Sequence, residues 1–107
     1  MSDAIAVVTT TASRADAQRL AEALIGRRLA ACAQISAIES IYRWQGEMHR
    51  EAEFRLLLKT TRDRYDALEQ AIRELHGYQL PAIYALAAEP IEARYAEWLR
   101  SETSEAS

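Results

Sequence analysis

The first quarter of the chain combines an apolar run with a helical pattern. Ile5 to Thr11 is uncharged and rich in β-branched residues, which indicates a strand buried in the middle of a sheet. Ser13 can accept hydrogen bonds from free backbone amides, and apolar residues then recur at helical spacing until Gly26. These apolar positions are Ala17, Leu20, Ala21, Leu24 and Ile25. The pattern predicts a central strand followed by a helix on one face of the sheet.

The middle of the chain has the pattern of a long β-hairpin. The segment from Leu29 to Thr61 contains no proline and one glycine, Gly46, with β-rich sequence on both sides. Before the turn, the apolar residues change parity near Ser36 to Ile38, which predicts a β-bulge there. After the turn, Met48 to Thr60 alternate between apolar and polar side chains. We therefore expect an arm with one apolar side and one polar side.

The last third of the chain predicts a helix, a strand and another helix. The second helix begins at Thr61 or Asp63 and ends at Gly77, which occupies the place of a helix-terminating glycine. Ala82 to Ala88 then reads as a fourth, apolar strand. Pro90 is suited to the opening of a third helix.

The predicted elements follow the order β-α-β-β-α-β with one helix appended. This is the order of an α+β ferredoxin-like sandwich, in which helices pack on an antiparallel sheet. A chain of 107 residues has the length of a single domain. We expect an ordered core over about residues 4–100 and a polar tail over 101–107 that frays.

The predicted hairpin is too long for a domain of this size. Its second strand has about 13 residues at about 3.3 Å each, or roughly 40 Å. A globule of this length has a radius of gyration of about 13 Å, so it is only about 33 Å across. An overhanging ribbon is marginal in water, and this one would expose Tyr42 and Trp44. We therefore expect a homo-oligomer with Tyr42 and Trp44 in its interface. The alternative to an oligomer is an arm that curls back on its own helices. The alternative role for the two aromatic residues is a wall that stacks on a ligand.

Charge and cysteine content exclude several classes of protein. A net charge of −3 and a pI near 5.4 give no basic field for nucleic acid or for an anionic membrane surface. The N-terminal residues lack the features of a secretory signal, and no stretch has the length and hydrophobicity of a membrane span. The single cysteine, Cys32, is expected in a buried strand and cannot form an internal disulfide. A reducing cytoplasm is the expected location.

Five short segments occur in an ordered series between Val7 and Leu99. They are Arg28-Leu29-Ala30-Ala31-Cys32-Ala33, Ser40-Ile41-Tyr42-Arg43-Trp44-Gln45-Gly46-Glu47, Leu58-Lys59-Thr60-Thr61, His76-Gly77-Tyr78-Gln79-Leu80-Pro81-Ala82-Ile83 and Tyr95-Ala96-Glu97-Trp98-Leu99. This series resembles the CutA family of divalent-ion tolerance proteins. The resemblance implies a homotrimer built by edge-to-edge strand pairing and a link to tolerance of ions such as copper. It also implies a likeness to the PII signalling trimers, which bind small ligands between subunits.

The chain departs from the family pattern at three places. Family members usually have Pro-Glu-Ile where this chain has Pro81-Ala82-Ile83. Members implicated in copper binding have a cysteine in place of Thr9 and a second histidine in place of Leu75, so only His76 remains of that set. The resemblance therefore implies weak or absent Cu²⁺ binding, because the soft thiolate and paired imidazoles are depleted.

The candidate metal ligands are His76 and Cys32. His76 lies at the end of the predicted second helix, where its imidazole can instead serve as a capping group. A strand cysteine can ligate a soft metal, but it also packs as a small apolar residue. His49, Glu51 and Glu53 share one face of the third strand at ligand-compatible spacing, although such runs also form solvated faces.

A second candidate site is a ligand cleft around the only lysine, Lys59. With Arg28 and Tyr78 it can hold a small anionic ligand; the alternative is an ion pair of Lys59 with Glu53 or Glu89. The sequence shows no zinc-type pairing, no phosphate-binding glycine loop and no activated nucleophile, so we expect no enzyme activity. The hypotheses are a homotrimer that binds divalent metal ions, a PII-like trimer with an anionic ligand, and a purely structural trimer.

Overall fold

The computed structural model describes residues 3–104 and contains a four-stranded antiparallel sheet in the order β2-β3-β1-β4. Its elements are β1 (Ala4–Thr11), α1 (Arg14–Gly26), β2 (Cys32–Trp44), β3 (Glu47–Thr61), α2 (Tyr65–Leu75), β4 (Tyr84–Ala87) and α3 (Ala93–Glu102). This topology confirms the ferredoxin-like sandwich with an appended helix. Within the described range, no helix is long and apolar enough to cross a membrane.

The hydrophobic core lies between the sheet and the helices α1 and α2. Strand β1 pairs with β3 on one side and β4 on the other, and it is buried along almost its whole length, as its β-branched run predicts. Val7, Leu56 and Leu58 point into the core from the sheet and are fully buried. Leu24 of α1 and Leu68 of α2 pack against them from the helical layer.

Helix α3 packs on the opposite face of the sheet. Side chains alternate along a strand, so Ala4 and Ala6 point away from the core beneath α1 and α2, yet both are buried. Cys32 shares their face, and its Sγ lies 3.6 Å from the hydroxyl of Tyr95 on α3. Leu99 of α3 is also buried outside the main cluster. The third helix thus covers one end of a face that is open elsewhere.

Local signals set the start of α1 and the turn of the hairpin. The Ser13 hydroxyl accepts a hydrogen bond from the backbone N–H of Asp16 at 3.0 Å, so Ser13 caps α1 as predicted. Gln45 and Gly46 form a two-residue turn with φ values of 51° and 84°. Positive φ at both positions is the geometry of a type I′ turn, which suits the right-handed twist of paired strands.

The ends of α2 agree only in part with the sequence. The helix begins at Tyr65, not at Thr61 or Asp63, because Arg62–Arg64 first form a 3-10 turn. At the other end, Gly77 stands immediately after the C-cap residue, in the predicted position. The helical pattern of the sequence predicted α2 correctly. The 3-10 turn after β3 moves the start of the helix to a later residue than predicted.

The fourth strand and third helix are both shorter at their starts than predicted. Strand β4 is Tyr84–Ala87, not Ala82 to Ala88. The apolar run begins earlier than the strand because Ile83 packs against the core without pairing in the sheet. Helix α3 begins at Ala93, beyond Pro90. Its cap is Glu92, whose side chain accepts from the N–H of Tyr95 at 2.8 Å.

The expectation of a frayed tail is wrong for residues 101–104. Thr103 is 1% exposed, and its hydroxyl donates to the carbonyl of Leu99 at 2.8 Å. Arg28 donates to the carbonyls of Ser101 and Ser104, both at 2.9 Å. These contacts join the last helix to the loop after α1. The polar composition of residues 101–104 does not indicate contacts with a distant part of the chain. Residues 105–107 lie outside the described range.

The predicted β-bulge in β2 is wrong. Pairing with β3 runs without interruption from Cys32 opposite Lys59 to Trp44 opposite Glu47. The apolar residues change parity for another reason. Strand β1 ends opposite Phe54, so no third strand of the described chain continues beside the distal part of the hairpin. Both faces of that part are largely exposed, and its apolar side chains no longer mark a single core face.

We call the distal part of the hairpin, residues 38–53, the arm. It consists of β2 and β3 alone, since β1 pairs only with residues 54–61 of β3. The described chain measures 44 × 26 × 21 Å, with a radius of gyration of 14.4 Å. A compact chain of this length would have about 13 Å. The predicted overhang is confirmed, and the alternative of an arm that curls back on its own helices is wrong.

The core position of Leu58 predicts a large loss of stability on truncation. Leu58→Ala should lower the free energy of unfolding by about 2–5 kcal/mol, because the side chain is fully buried between the sheet and the helices. Leu75→Ala is the control, since that leucine is 39% exposed on α2 and should lose clearly less. Chemical denaturation measures both values, and equal losses would contradict the assigned core.

Candidate functional site

A cavity of about 830 Å³ lies on the sheet face opposite α1 and α2. Its floor includes Val8 and Thr10 of β1 and Glu53 and Arg55 of β3, whose side chains share this face. The base of the arm forms one wall, and the segment 77–84 that leads from α2 to β4 forms the other. Cavities of several hundred cubic ångströms are typical of small-molecule sites.

Glu53 is a buried acidic residue at the floor of this cavity, with only 7% of its surface exposed. Its Oε2 accepts hydrogen bonds from the Tyr78 hydroxyl at 2.6 Å and from the Thr10 hydroxyl at 3.3 Å. Its Oε1 accepts none from residues 3–104, and Glu53 forms no ion pair with them. The carboxyl group therefore keeps unused acceptor capacity beside the cavity.

Tyr78 reaches Glu53 from the segment that follows α2. Burial, and then the hydrogen bond to the Glu53 carboxylate, raise the pKa of Tyr78 far above its usual range. The phenol therefore remains protonated at any physiological pH and acts as the donor. Its hydrogen bond fixes segment 77–84 to the base of the arm.

The walls of the cavity are aromatic and acidic. Tyr42, Trp44 and Tyr84 line it. The Tyr42 hydroxyl donates to Glu51, and that hydrogen bond raises the pKa of Tyr42. Two carboxylates stand on the cavity face, Glu51 and Glu53, with Arg55 as the basic side chain there. Glu39 also borders the cavity, but alternation along β2 directs its side chain to the other face. The local charge is therefore negative.

His76, a predicted metal ligand, has both ring nitrogens bonded inside the subunit. Nε2 lies 2.6 Å from the carbonyl oxygen of Thr10, and Nδ1 accepts from the backbone N–H of Tyr78 at 3.0 Å. A neutral imidazole with its proton on Nε2 satisfies both contacts. A metal ion would have to displace one of them, so the geometry favours the structural alternative for His76.

Cys32, the other predicted ligand, is half-buried and is the first residue of β2. It lies on a strand as predicted, but the expectation that this strand is buried is wrong for the single subunit, because β2 is at the edge of the sheet. Its thiol contacts the Tyr95 hydroxyl, and this contact, followed by burial, raises the pKa of Tyr95 to about 12. Tyr95 in turn stacks on Trp98 with ring centroids 5.8 Å apart.

Lys59, Arg28 and Tyr78 do not converge within one subunit. The ammonium of Lys59 donates to the Gln34 side chain at 2.8 Å. The alternative, an ion pair of Lys59 with Glu53 or Glu89, is not found in the described range. Arg28 is bonded to carbonyls at the end of α3. Tyr78 bonds Glu53, which is about six residues before Lys59 on β3, or roughly 20 Å along the strand.

Tyr42 and Trp44, the predicted interface residues, lie on the arm and are 38% and 37% exposed. Ile41 and Met48 beside them are more exposed, at 56% and 68%. Each outer strand of the sheet, β2 and β4, has one edge that pairs with no other strand among residues 3–104. The interface role of these residues stays a prediction, and the geometry gives them an exposed surface on which to act.

The described residues of one subunit do not fit a resident metal ion. No group of three or more His, Cys, Asp or Glu side chains among them is arranged to hold one. The three candidates on β3 are engaged separately: His49 stacks on Tyr42, Glu51 accepts from Tyr42, and Glu53 accepts from Tyr78. The spacing of these three residues on one face of a strand is therefore not sufficient to form a metal site.

Sequence reasoning missed the contact between Glu53 and Tyr78. The two residues are 25 positions apart and belong to different elements. The available signal was the position of Glu53 on the polar side of β3, which equally fits a solvated carboxylate. Only the path of segment 77–84 around the end of β1 brings the phenol to it.

The comparisons with known proteins agree with this architecture. The family model described as CutA1 divalent ion tolerance protein matches residues 5–102. A divalent-cation tolerance protein CutA from Thermus thermophilus is 41% identical over 98 residues, which cover 91% of this chain and 95% of that protein. A protein of the same name from Pyrococcus horikoshii is 33% identical over 99 residues, with 92% and 97% coverage.

Solved structures extend the agreement to the backbone. The structure of CutA from Synechococcus elongatus superposes with a TM-score of 0.93 at 39% identity, covering 97% of this chain and 93% of that one. The same backbone fold thus occurs with a related sequence over nearly the whole length of both chains. On these grounds the chain belongs to the CutA1 family of divalent ion tolerance proteins.

Proposed function

We propose that this chain acts as a homotrimer in tolerance of divalent cations, contacts the metal between subunits and catalyses no reaction. The observation that carries the proposal is the uncovered arm, a two-stranded ribbon that displays Tyr42, Trp44 and Met48. Such a ribbon is marginal in water and prone to edge-to-edge association. A second copy of the chain supplies the missing contacts.

The two free edges of the sheet favour a closed ring of copies. The edge of β2 offers 13 residues and that of β4 offers four, so a contact between them joins two different surfaces. A heterologous contact of this kind either closes as a ring or grows into a filament. The family resemblance implies closure with three copies.

Cys32 is better placed than His76 to contact a thiol-binding divalent ion such as copper. It is half-buried on a strand whose outer edge is open to the next copy, whereas both nitrogens of His76 are bonded internally. Since the described part of one subunit has no three-ligand group, further ligands must come from another copy or from solvent. We expect weak copper binding, and Thr9 in place of a family cysteine agrees with this.

The free thiol also supports a cytoplasmic location, where it remains reduced. The alternative of an anionic ligand held by Lys59, Arg28 and Tyr78 has less support, since these side chains are bonded to separate parts of the subunit. Such a site would need contributions from neighbouring copies.

Truncation of the arm should weaken assembly. Trp44→Ala should raise the concentration at which the oligomer dissociates by about 30-fold or more, since a buried tryptophan anchor contributes about 2 kcal/mol or more to an interface. Light scattering over a dilution series gives this concentration. Ile25→Ala is the control, because Ile25 is 39% exposed on α1, away from the arm. A wild-type protein that is monomeric at micromolar concentration would refute the trimer.

Copper titration separates the two predicted ligands. Under anaerobic conditions, Cys32→Ser should weaken Cu²⁺ binding about tenfold or more in calorimetry, because a soft thiolate is lost. His76→Ala should leave the affinity nearly unchanged and lower the melting temperature, because it frees the Thr10 carbonyl and the Tyr78 N–H. The reverse result would show that His76 leaves its internal contacts to bind the metal.

A further inference from the structure

Most of the exposed large apolar side chains lie in two groups. One group is on the arm and contains Ile41, Tyr42, Trp44 and Met48. The other lies in β4 and the segment before it, and contains Leu80, Tyr84 and Leu86, which are 70%, 49% and 53% exposed. We call this second group the strip. Exposed apolar side chains that cluster in this way mark a surface for another molecule.

The strip extends one face of the sheet to its outer edge. Tyr84 pairs with Val8 and Leu86 pairs with Ala6, so their side chains share the face opposite α1 and α2. Val8 and Ala6 are buried, but no strand among residues 3–104 pairs with the other edge of β4. Leu80 borders the cavity on this face together with Tyr84. The strip is therefore the uncovered margin of a face that is buried next to it.

The subunit's own arm lies too far away to cover the strip. Strand β1 ends opposite Phe54, and Trp44 pairs with Glu47 about seven residues farther along β3, or roughly 23 Å away. Strands β2 and β4 are also the two outer strands, about 14 Å apart across the sheet. Trp44 and Tyr84 therefore border opposite ends of the cavity. Within one subunit, both groups of apolar side chains remain exposed.

Charge decides which of the two groups fits the arm of another copy. The exposed carboxylates of Glu47 and Glu51 share the face of Trp44. Two arms packed together by this face would bring like charges close to one another, which is unfavourable. Residues 77–88 contain no charged side chain, and Arg55, on the same face of the sheet as the strip, is exposed and forms no ion pair among residues 3–104. The acidic, aromatic face of the arm therefore matches the strip better than it matches another arm.

We propose that the strip is the surface that receives the arm of a second copy, with Tyr42 and Trp44 of that copy against Leu80, Tyr84 and Leu86. The arm and the strip are different surfaces, so each copy gives its arm to one neighbour and receives the arm of another. The cavity on this face of the sheet then holds protein from the next copy. The inference rests on the proposed homotrimer and adds the surface that receives the arm.

A charge placed in the strip tests the contact. Leu86→Glu should raise the concentration at which the oligomer dissociates by about a hundredfold or more, because assembly would bury an unpaired carboxylate. Light scattering over a dilution series gives this concentration, and circular dichroism checks that the subunit still folds. Leu75→Glu is the matched control, since Leu75 is 39% exposed on α2, on the other face of the sheet. A Leu86→Glu protein that assembles as the wild type does would overturn the proposal.

A second variant covers the case in which Leu86→Glu fails to fold. Leu80 precedes β4 and is 70% exposed, so Leu80→Asp changes no strand pairing within the subunit. This variant should also weaken assembly, by about tenfold or more, for the same reason. Assembly that is as tight as in the wild type would count against the strip.

Mixing two variants tests whether the arm and the strip contact each other. Trp44→Glu disables the arm and Leu86→Glu disables the strip, so each variant alone lacks one side of every contact. An equal mixture restores one contact, between the intact arm of the Leu86→Glu protein and the intact strip of the Trp44→Glu protein. Native mass spectrometry at high protein concentration should show this heterodimer and neither homodimer. A mixture that stays monomeric, or Leu86→Glu protein that associates through its arms, would overturn the proposal.

The native mass of the wild-type protein keeps this inference separate from the proposed function. Wild-type protein that is monomeric contradicts the homotrimer, and the contact with it. An oligomeric wild type whose assembly is unaffected by Leu86→Glu contradicts the contact alone and leaves the homotrimer intact. An oligomer that dissociates in both variants and recovers the heterodimer on mixing supports both.

Discussion

The arm is a two-stranded ribbon because β1 ends before the hairpin does. Thr11 is the last residue of β1 and pairs with Phe54, while β2 and β3 continue together to the turn at Gln45 and Gly46. Beyond that point no third strand and no helix from residues 3–104 shields the ribbon. The exposed aromatic side chains, the elongated shape and one wall of the cavity all follow from this difference in strand length. The homotrimer that we propose would cover this ribbon.

The second constraint is electrostatic. Segment 77–84 leaves α2 on one face of the sheet and reaches the opposite face, where Tyr78 bonds Glu53. The segment encloses a carboxylate that would otherwise be solvated on the polar side of β3. Among residues 3–104, its hydrogen-bond donors are the hydroxyls of Tyr78 and Thr10, at the edge of a cavity with aromatic residues in its lining. The environment of Glu53 is therefore set by the chain path around the end of β1 as much as by residue type.

The two residues singled out for metal binding differ in environment more than in chemistry. His76 is fully engaged by backbone groups at the end of α2, and it helps to hold the start of segment 77–84. Cys32 stands at the outer strand of the sheet, where the edge is open. Both were candidates because imidazole and thiolate groups bind metals. They differ in their hydrogen bonds, because both ring nitrogens of His76 already have partners inside the subunit. The environment of Cys32 is compatible with a metal site shared between copies, whereas the contacts of His76 oppose one.

The sequence by itself determined the element types, their order, the cap at Ser13 and the overhang of the hairpin, because these depend on contacts within a few residues and on chain length. It could not place the buried Glu53, the anchored residues 101–104 or the continuous pairing through Ser36 to Ile38. Each of these depends on which distant segment lies alongside: Tyr78 for Glu53, Arg28 for the last helix, and the end of β1 for the hairpin. Burial and charge pairing arise between residues far apart in the chain, so only the tertiary structure decides them.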